Sequence, residues 1–135
     1  MITQDIELKG IAERTAAVLS SAAAEYPPGY AMYLQAHLAL ISGGREWVLS
    51  GKAEDPALHG MLAHVQQAYL PDATLIVNWS GSDGDALHKL LPHLADKPAV
   101  DGQATAYECR NFACRAPVTN PEAVKELLRT GRRER

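Results

Sequence analysis

Thr74-Leu75-Ile76-Val77-Asn78-Trp79 is the most strand-like run in the chain. Its β-branched and aromatic residues suit a pleated surface, and its nearly unbroken apolar character predicts a strand buried on both faces. Upstream, Leu58, Met61, Leu62, Val65 and Tyr69 recur at helical spacing, with Asp55-Pro56 as the start signal and Pro71 as the stop. Before that helix, Glu46-Trp47-Val48-Leu49-Ser50 reads as a short strand ended by Gly51. Downstream, Ser80 to Gly84 forms a turn, and Ala86, Leu87, Leu90, Leu91 and Leu94 mark a further amphipathic helix. Lys97 to Gln103 is a loop, and Thr105-Ala106-Tyr107-Glu108-Cys109 alternates weakly as a third strand. Thr119 and Glu122 form a capping box for a closing helix that buries Ala123, Val124, Leu127 and Leu128. Strands alternating with helices predict an α/β fold, a βαβαβα unit with a small, mainly parallel three-stranded sheet, a mixed sheet being the alternative.

The N-terminal third has a different period. Leu8, Ile11, Ala12, Thr15, Ala16, Leu19, Ala22 and Ala23 line one stripe of a helix over about residues 4–25, which Tyr26-Pro27-Pro28-Gly29 stops. From Tyr30 to Ile41 the next helix is apolar or small on nearly every face, so it expects neighbours all round. The short connection makes the two an N-terminal αα-hairpin with a central second arm. The expected organisation is a helical hairpin over 1–44, a small α/β unit over 45–128 packed on it, and a basic tail over 129–135, together one domain.

A chain of 135 residues, 47% hydrophobic, is long enough to bury a core without disulfides. The net charge of −3 includes a tail of four arginines and one glutamate, which leaves the body at −6 and argues against nucleic acid as a partner. Apolar runs are too short to span a membrane, and the first ten residues lack a signal-peptide core, so a cytoplasmic location is expected. Two cysteines suit such a reducing compartment.

Few residues carry chemistry. Cys109 and Cys114 are five apart and face opposite sides of an extended strand, so they bond only if the chain folds back, with Asn111 and Phe112 at the turn. Packing as unpaired thiols is the first reading, and a structural or redox disulfide pair is the second. No further cysteine pair completes a zinc site. His59 and His64, like His88 and His93, are five apart, which places them on different helical faces as surface or boundary residues and not as metal ligands. His37 lies on the most apolar helix as a core histidine or an inter-helix contact. Ser50-Gly51-Lys52 fails as a phosphate loop, because Glu46 and Ala53 stand where glycine and Ser or Thr belong. Gly81-Ser82-Asp83-Gly84 opens a helix, with capping a better reading than anion binding. Gly-x-Ser-x-Gly is absent, so a hydrolase elbow has no nucleophile.

The C-terminal string, with Tyr107, Cys109, Asn111, Cys114, Pro117, Thr119 and Pro121 in a Tyr-x-Cys-x-Asn-x-x-Cys-x-x-Pro-x-Thr-x-Pro pattern, resembles the ending of a thioredoxin-domain-containing family. That family includes spermatogenesis-associated protein twenty and its bacterial relatives. The likeness covers about residues 26–128. It implies that Ile6 to Ile41 is the last arm of a six-hairpin helical toroid of the glycosidase and epimerase type, and that residues 45–128 follow it. The family's thioredoxin-like domain and most of the toroid have no counterpart in these residues, so its redox motif is not carried over. The resulting expectation is a non-catalytic accessory domain, with no cofactor, that docks to the rest of a larger protein or forms a homodimer through residues 4–41. The alternative is a small redox protein using Cys109 and Cys114. Sugar binding is a third reading, for which one hairpin supplies only part of a pocket.

Overall fold

In the computed structural model, residues 5–41, 43–110 and 113–130 are described. Helices α1 (Ile6–Glu25) and α2 (Ala31–Ile41) are joined by a short 3-10 turn at Pro27–Tyr30. Then come β1 (Arg45–Gly51), α3 (Pro56–Gln67), β2 (Ala73–Trp79) and α4 (Ser82–Leu90). After 3-10 turns at Pro92–Asp96 and Val100–Gly102, β3 (Thr105–Arg110), β4 (Ala113–Cys114) and α5 (Pro121–Thr130) complete the chain. The α/β class and the leading hairpin are as the sequence predicts.

The sheet has four strands, not three, in the order β2-β1-β3-β4. Only β1 and β2 are parallel, with Trp47 opposite Leu75 and Leu49 opposite Val77. The expectation of a mainly parallel sheet is corrected here by the route after β2. Pro92 cannot continue a helix, and the turns that follow bring the chain back to the end where β1 finishes. Thr105 therefore pairs with Ser50, and β3 runs antiparallel to β1. The short β4 folds back on β3, with Cys109 opposite Cys114 and Arg110 opposite Ala113. The chain continues along that edge, where Arg115 N–H donates to the Glu108 carbonyl at 2.9 Å and Ala106 and Val118 exchange backbone bonds of 2.8 and 3.0 Å.

Alternation along β1 divides the core between two faces of the sheet. Trp47 and Leu49 pack with Leu58, Met61 and Val65 of α3 and Val124 and Leu128 of α5. Val48 points the other way, into a smaller cluster with Ile76, Leu91, Leu94, Tyr107 and Cys109. Trp47, Val48, Leu49, Met61 and Val124 are fully buried, and each such side chain contributes about 1.5–3 kcal/mol relative to exposure.

Asn78 is the buried polar residue of β2. Its amide Nδ2 donates to Ser50 Oγ at 3.2 Å, the Leu94 carbonyl at 3.2 Å and the Lys97 carbonyl at 3.0 Å. Its Oδ1 lies 2.7 Å from His88 Nε2. One amide thus fastens the segment around Pro92–Asp96, and α4 through His88, to the sheet. At the start of α4, a Cβ on Gly84 would stand 2.3 Å from the Trp79 carbonyl oxygen, so glycine is needed for the close approach. The N-cap of α4 is Gly81, with no side-chain cap bond; the Asp83 side chain lies outside the described residues. The expected Thr119–Glu122 capping box is also corrected. Asn120 caps α5, its Oδ1 accepting from Glu122 N–H at 2.8 Å, because Pro121 takes the first helical position.

The hairpin stands apart in its packing. Asp5 caps α1 by accepting from Glu7 and Leu8 N–H, and Tyr33 OH donates to the Ala16 carbonyl at 2.9 Å to link the two helices. Yet Ala23 is the only buried residue of α1, and α2 has none. The second arm is therefore not central within this chain; its apolar faces look outward. Of the tail expected over 129–135, residues 131–135 lie outside the described residues.

Candidate functional site

Between the hairpin and the sheet runs a cleft of about 1090 Å³. One wall is small and apolar, made by Ala12, Ala16 and Leu19 of α1 and Ala36 and Leu40 of α2. The opposite wall is polar and comes from the sheet and the segment beside it: Glu46, Thr74, His93, Lys97, Tyr107 and the two cysteines. It opens where β1 and β2 begin. Ligands of parallel α/β sheets sit at the other, carboxyl end of the strands, which Asn78 and Ser50 fill with a satisfied network. The cleft is therefore not the customary α/β ligand crevice.

Its polar floor is organised around Glu46. The Glu46 Oε1 lies 3.4 Å from His93 Nε2 and 3.9 Å from Lys97 Nζ, with all three side chains at most 20% exposed. Lys97 Nζ also donates to the His93 carbonyl at 3.3 Å. Both ring nitrogens of His93 are buried without a hydrogen-bond partner among the described residues, and so is Nδ1 of His37 on the facing wall. Buried polar atoms are nearly always bonded; His93 Nε2 has the Glu46 carboxylate at ion-pair distance, and the His37 ring stacks on Tyr33 with centroids 5.5 Å apart. Tyr107 OH donates to the Pro98 carbonyl at 2.6 Å, and burial raises its pKa above 10. On the opposite side of β3, Glu108 lies between Arg45 Nε at 3.7 Å and Arg115 Nε at 3.6 Å.

Cys109 and Cys114 are disulfide-bonded, with Cα atoms 3.9 Å apart. The reading as unpaired packing thiols is replaced, because β4 folds back and sets the two directly opposite each other. Among the described residues there is no free cysteine. Cys109 is 5% exposed, whereas Cys114 is exposed.

Of the other signature residues, Tyr107 and Pro117 line the cleft, Thr119 is exposed, and Pro121 lies over Gly60 of α3. Asn111, with Phe112 the expected turn, lies outside the described residues. Among the histidines, His59 is exposed, with Nε2 2.7 Å from the Ala53 carbonyl, and His64 and His88 are half-buried. His93 is likewise half-buried, a boundary position, and it alone of these four has an acidic partner, Glu46, among the described ion pairs. Sequence reasoning did not single out Glu46, Lys97 or the pairing of His93 with Glu46. A charged residue on an otherwise apolar strand was the available signal. No group of three or more metal-ligating side chains occurs among the described residues, and Ser50 is buried with its hydroxyl donated to the Lys97 carbonyl at 2.6 Å, away from any phosphate.

Fold and site together define a small α/β domain with a mixed sheet, an underpacked helical hairpin and a cystine in the cleft between them. No family model matches the chain, and no solved structure matches it. Among curated proteins it is similar to spermatogenesis-associated protein 20 of Homo sapiens, 32% identical over 87 residues, which are 62% of this chain and 11% of that protein. The proteins of the same name from Rattus norvegicus and Mus musculus are 31% identical over 87 residues, 62% of this chain and 10% of each. The chain thus spans about a tenth of the length of the relatives it matches. No helix among the described residues is long and apolar enough to cross a membrane.

Proposed function

We propose that this chain is an accessory docking domain. Its hairpin packs against helices of a larger protein of the thioredoxin-domain-containing kind, or against a second copy when the chain is alone. The observation that carries this reading is the uncovered hairpin: Ile6, Leu8, Ile11, Val18, Leu34, Leu38 and Ile41 are all exposed and none of them lines the cleft. So many exposed large apolar side chains on one hairpin mark an interaction surface. The small share of the relatives' length that the chain matches supports a partner lying in the same kind of larger protein, the toroid of the family resemblance. Docking uses the outer face of the hairpin and leaves the cleft on its inner side free. In the isolated chain, analytical ultracentrifugation should find a dimer at micromolar concentration. Leu34→Gln with Leu38→Gln should return a monomer with the same thermal midpoint for the α/β unit. A wild-type monomer at high micromolar concentration removes the self-docking arm of the proposal.

The bonded cysteine pair favours a second reading, a redox role. Residues five apart close a very short loop, and the stabilisation from a disulfide falls with loop size, to about 2 kcal/mol or less here. In a cytoplasmic protein, the location expected from the sequence, a disulfide is more often transient and catalytic or redox-sensing than structural. Thiol titration tests it: a pair that stays oxidised under a glutathione buffer of cytosolic poise is structural, and one that exchanges is redox-active.

A further inference from the structure

The two sulfurs are placed unequally. Cys114 is exposed at the cleft, while Cys109 is 5% exposed and sits in the second core cluster. A reagent entering the cleft therefore meets Cys114 first. The residue paired with Cys109 across the β1–β3 ladder is Glu46. Cross-strand partners on one face have neighbouring side chains, and both of these line the cleft. Glu46 is in turn held by His93 and Lys97. A buried sulfur beside a carboxylate, joined to an accessible sulfur, has the parts that disulfide exchange needs: an attacking atom, a resolving atom and a proton acceptor.

We propose that the cleft is a thiol–disulfide exchange site for small-molecule disulfides, in which Cys114 attacks, Cys109 resolves and Glu46 takes the proton from Cys109. This rests on the redox reading of the pair and is independent of docking. In the oxidising direction, Cys114 gives its proton to water, and its thiolate attacks one sulfur of a disulfide RSSR, breaking the S–S bond and expelling RS⁻, which takes up a proton from water. Cys109 then passes its proton to Glu46 and attacks the Cys114 sulfur. The protein disulfide forms, and the second RS⁻ leaves and is protonated. The sum is one dithiol and one RSSR converted to one protein disulfide and two RSH, a transfer of two electrons. The reverse reaction reduces the bond seen here.

The hairpin argues for the size of the substrate. Ala12, Ala16, Ala36 and Leu40 form the wall opposite the cysteines, and a cleft of about 1090 Å³ is of the size that holds a small molecule. The titratable groups that line the cleft with Glu46 are Arg45, Asp72, His93, Asp96, Lys97, Arg115, His37 of the hairpin and the Tyr107 phenol.

Mixing the reduced chain with excess bis(2-hydroxyethyl) disulfide, quenching in acid and weighing the intact protein tests the assignment. Wild type should close to the protein disulfide without accumulating a mixed disulfide. Cys109→Ser should trap the adduct at Cys114, and Cys114→Ser should form an adduct at least tenfold more slowly, as expected when only one sulfur is accessible. Glu46→Gln should accumulate the mixed disulfide, with closure slowed about a hundredfold or more, the range of general-base effects, when measured at a temperature where the variant is fully folded. Closure of Glu46→Gln at the wild-type rate, or equal adduct rates at the two cysteines, overturns the site assignment and leaves the redox reading standing. Reduced wild type that reacts no faster than an unfolded peptide carrying Cys109 to Cys114 overturns both.

Discussion

Asn78 stands in the middle of an apolar strand because its amide replaces, bond for bond, what water would otherwise supply to buried groups around it. Nδ2 faces only acceptors, which fixes Oδ1 as the acceptor from His88 and places the proton on His88 Nε2. Removing it deletes four contacts and leaves the buried Ser50 hydroxyl without its donor and the half-buried His88 Nε2 without its acceptor, while the Leu94 and Lys97 carbonyls keep the bonds from Lys97 N–H and the Ser50 hydroxyl. Asn78→Ala should cost about 3 kcal/mol, the penalty of leaving such groups unpaired, seen as a lowered urea midpoint at unchanged slope. Tyr107 gives a pH-dependent counterpart. Burial raises its pKa in the folded protein above its unfolded value near 10, so its contribution is complete below pH 10 and is lost as pH rises through the folded value. Unfolding free energy measured from pH 8 to 11.5 should fall at the alkaline end, and Tyr107→Phe should flatten that fall.

At the level of elements, small choices of residue decide where helices begin and strands turn. Pro121 has no N–H to offer and a φ already suited to a first helical position, so the cap moves to the residue before it. Asn120→Ala should therefore cost about 1 kcal/mol, while Thr119→Ala should stay within about 0.5 kcal/mol, as measured by thermal or urea unfolding. The reverse ranking restores the capping box. The β3–β4 hairpin is the second such decision. It converts two cysteines on opposite faces of one imagined strand into a cross-strand pair, and it lays Arg115 beside Glu108. A strand of two residues is too short to announce itself by periodicity, which is why β4 was not legible.

On the scale of the whole molecule, the chain divides by how well it is packed. The α/β unit has a core on each face of its sheet, whereas α2 has no buried residue. Helices without tertiary burial are marginal in water, so local opening should be cheap in the hairpin and costly in the sheet. Hydrogen exchange should show amides of α1 and α2 exchanging orders of magnitude faster than those of β1 and β3 in dilute solution. Protection in the hairpin should rise with protein concentration if a second copy covers it. Uniform protection at all concentrations contradicts docking as the role of the hairpin.

Hydrophobic period and turn chemistry alone determined the element order from α1 to α5 apart from β4, the α/β class and the excess of apolar surface on the second helix, whereas Thr74 to Trp79, expected to be buried on both faces, forms an edge strand in which only Ile76 and Asn78 are buried. These are local properties, set by side-chain spacing and by the backbone limits of proline and glycine. The antiparallel entry of β3, the bond between Cys109 and Cys114, and the meeting of Glu46 with His93 and Lys97 were decided only in three dimensions. Each joins residues separated by at least one reversal of the chain, and no one-dimensional period encodes which edge of a sheet a returning strand will take.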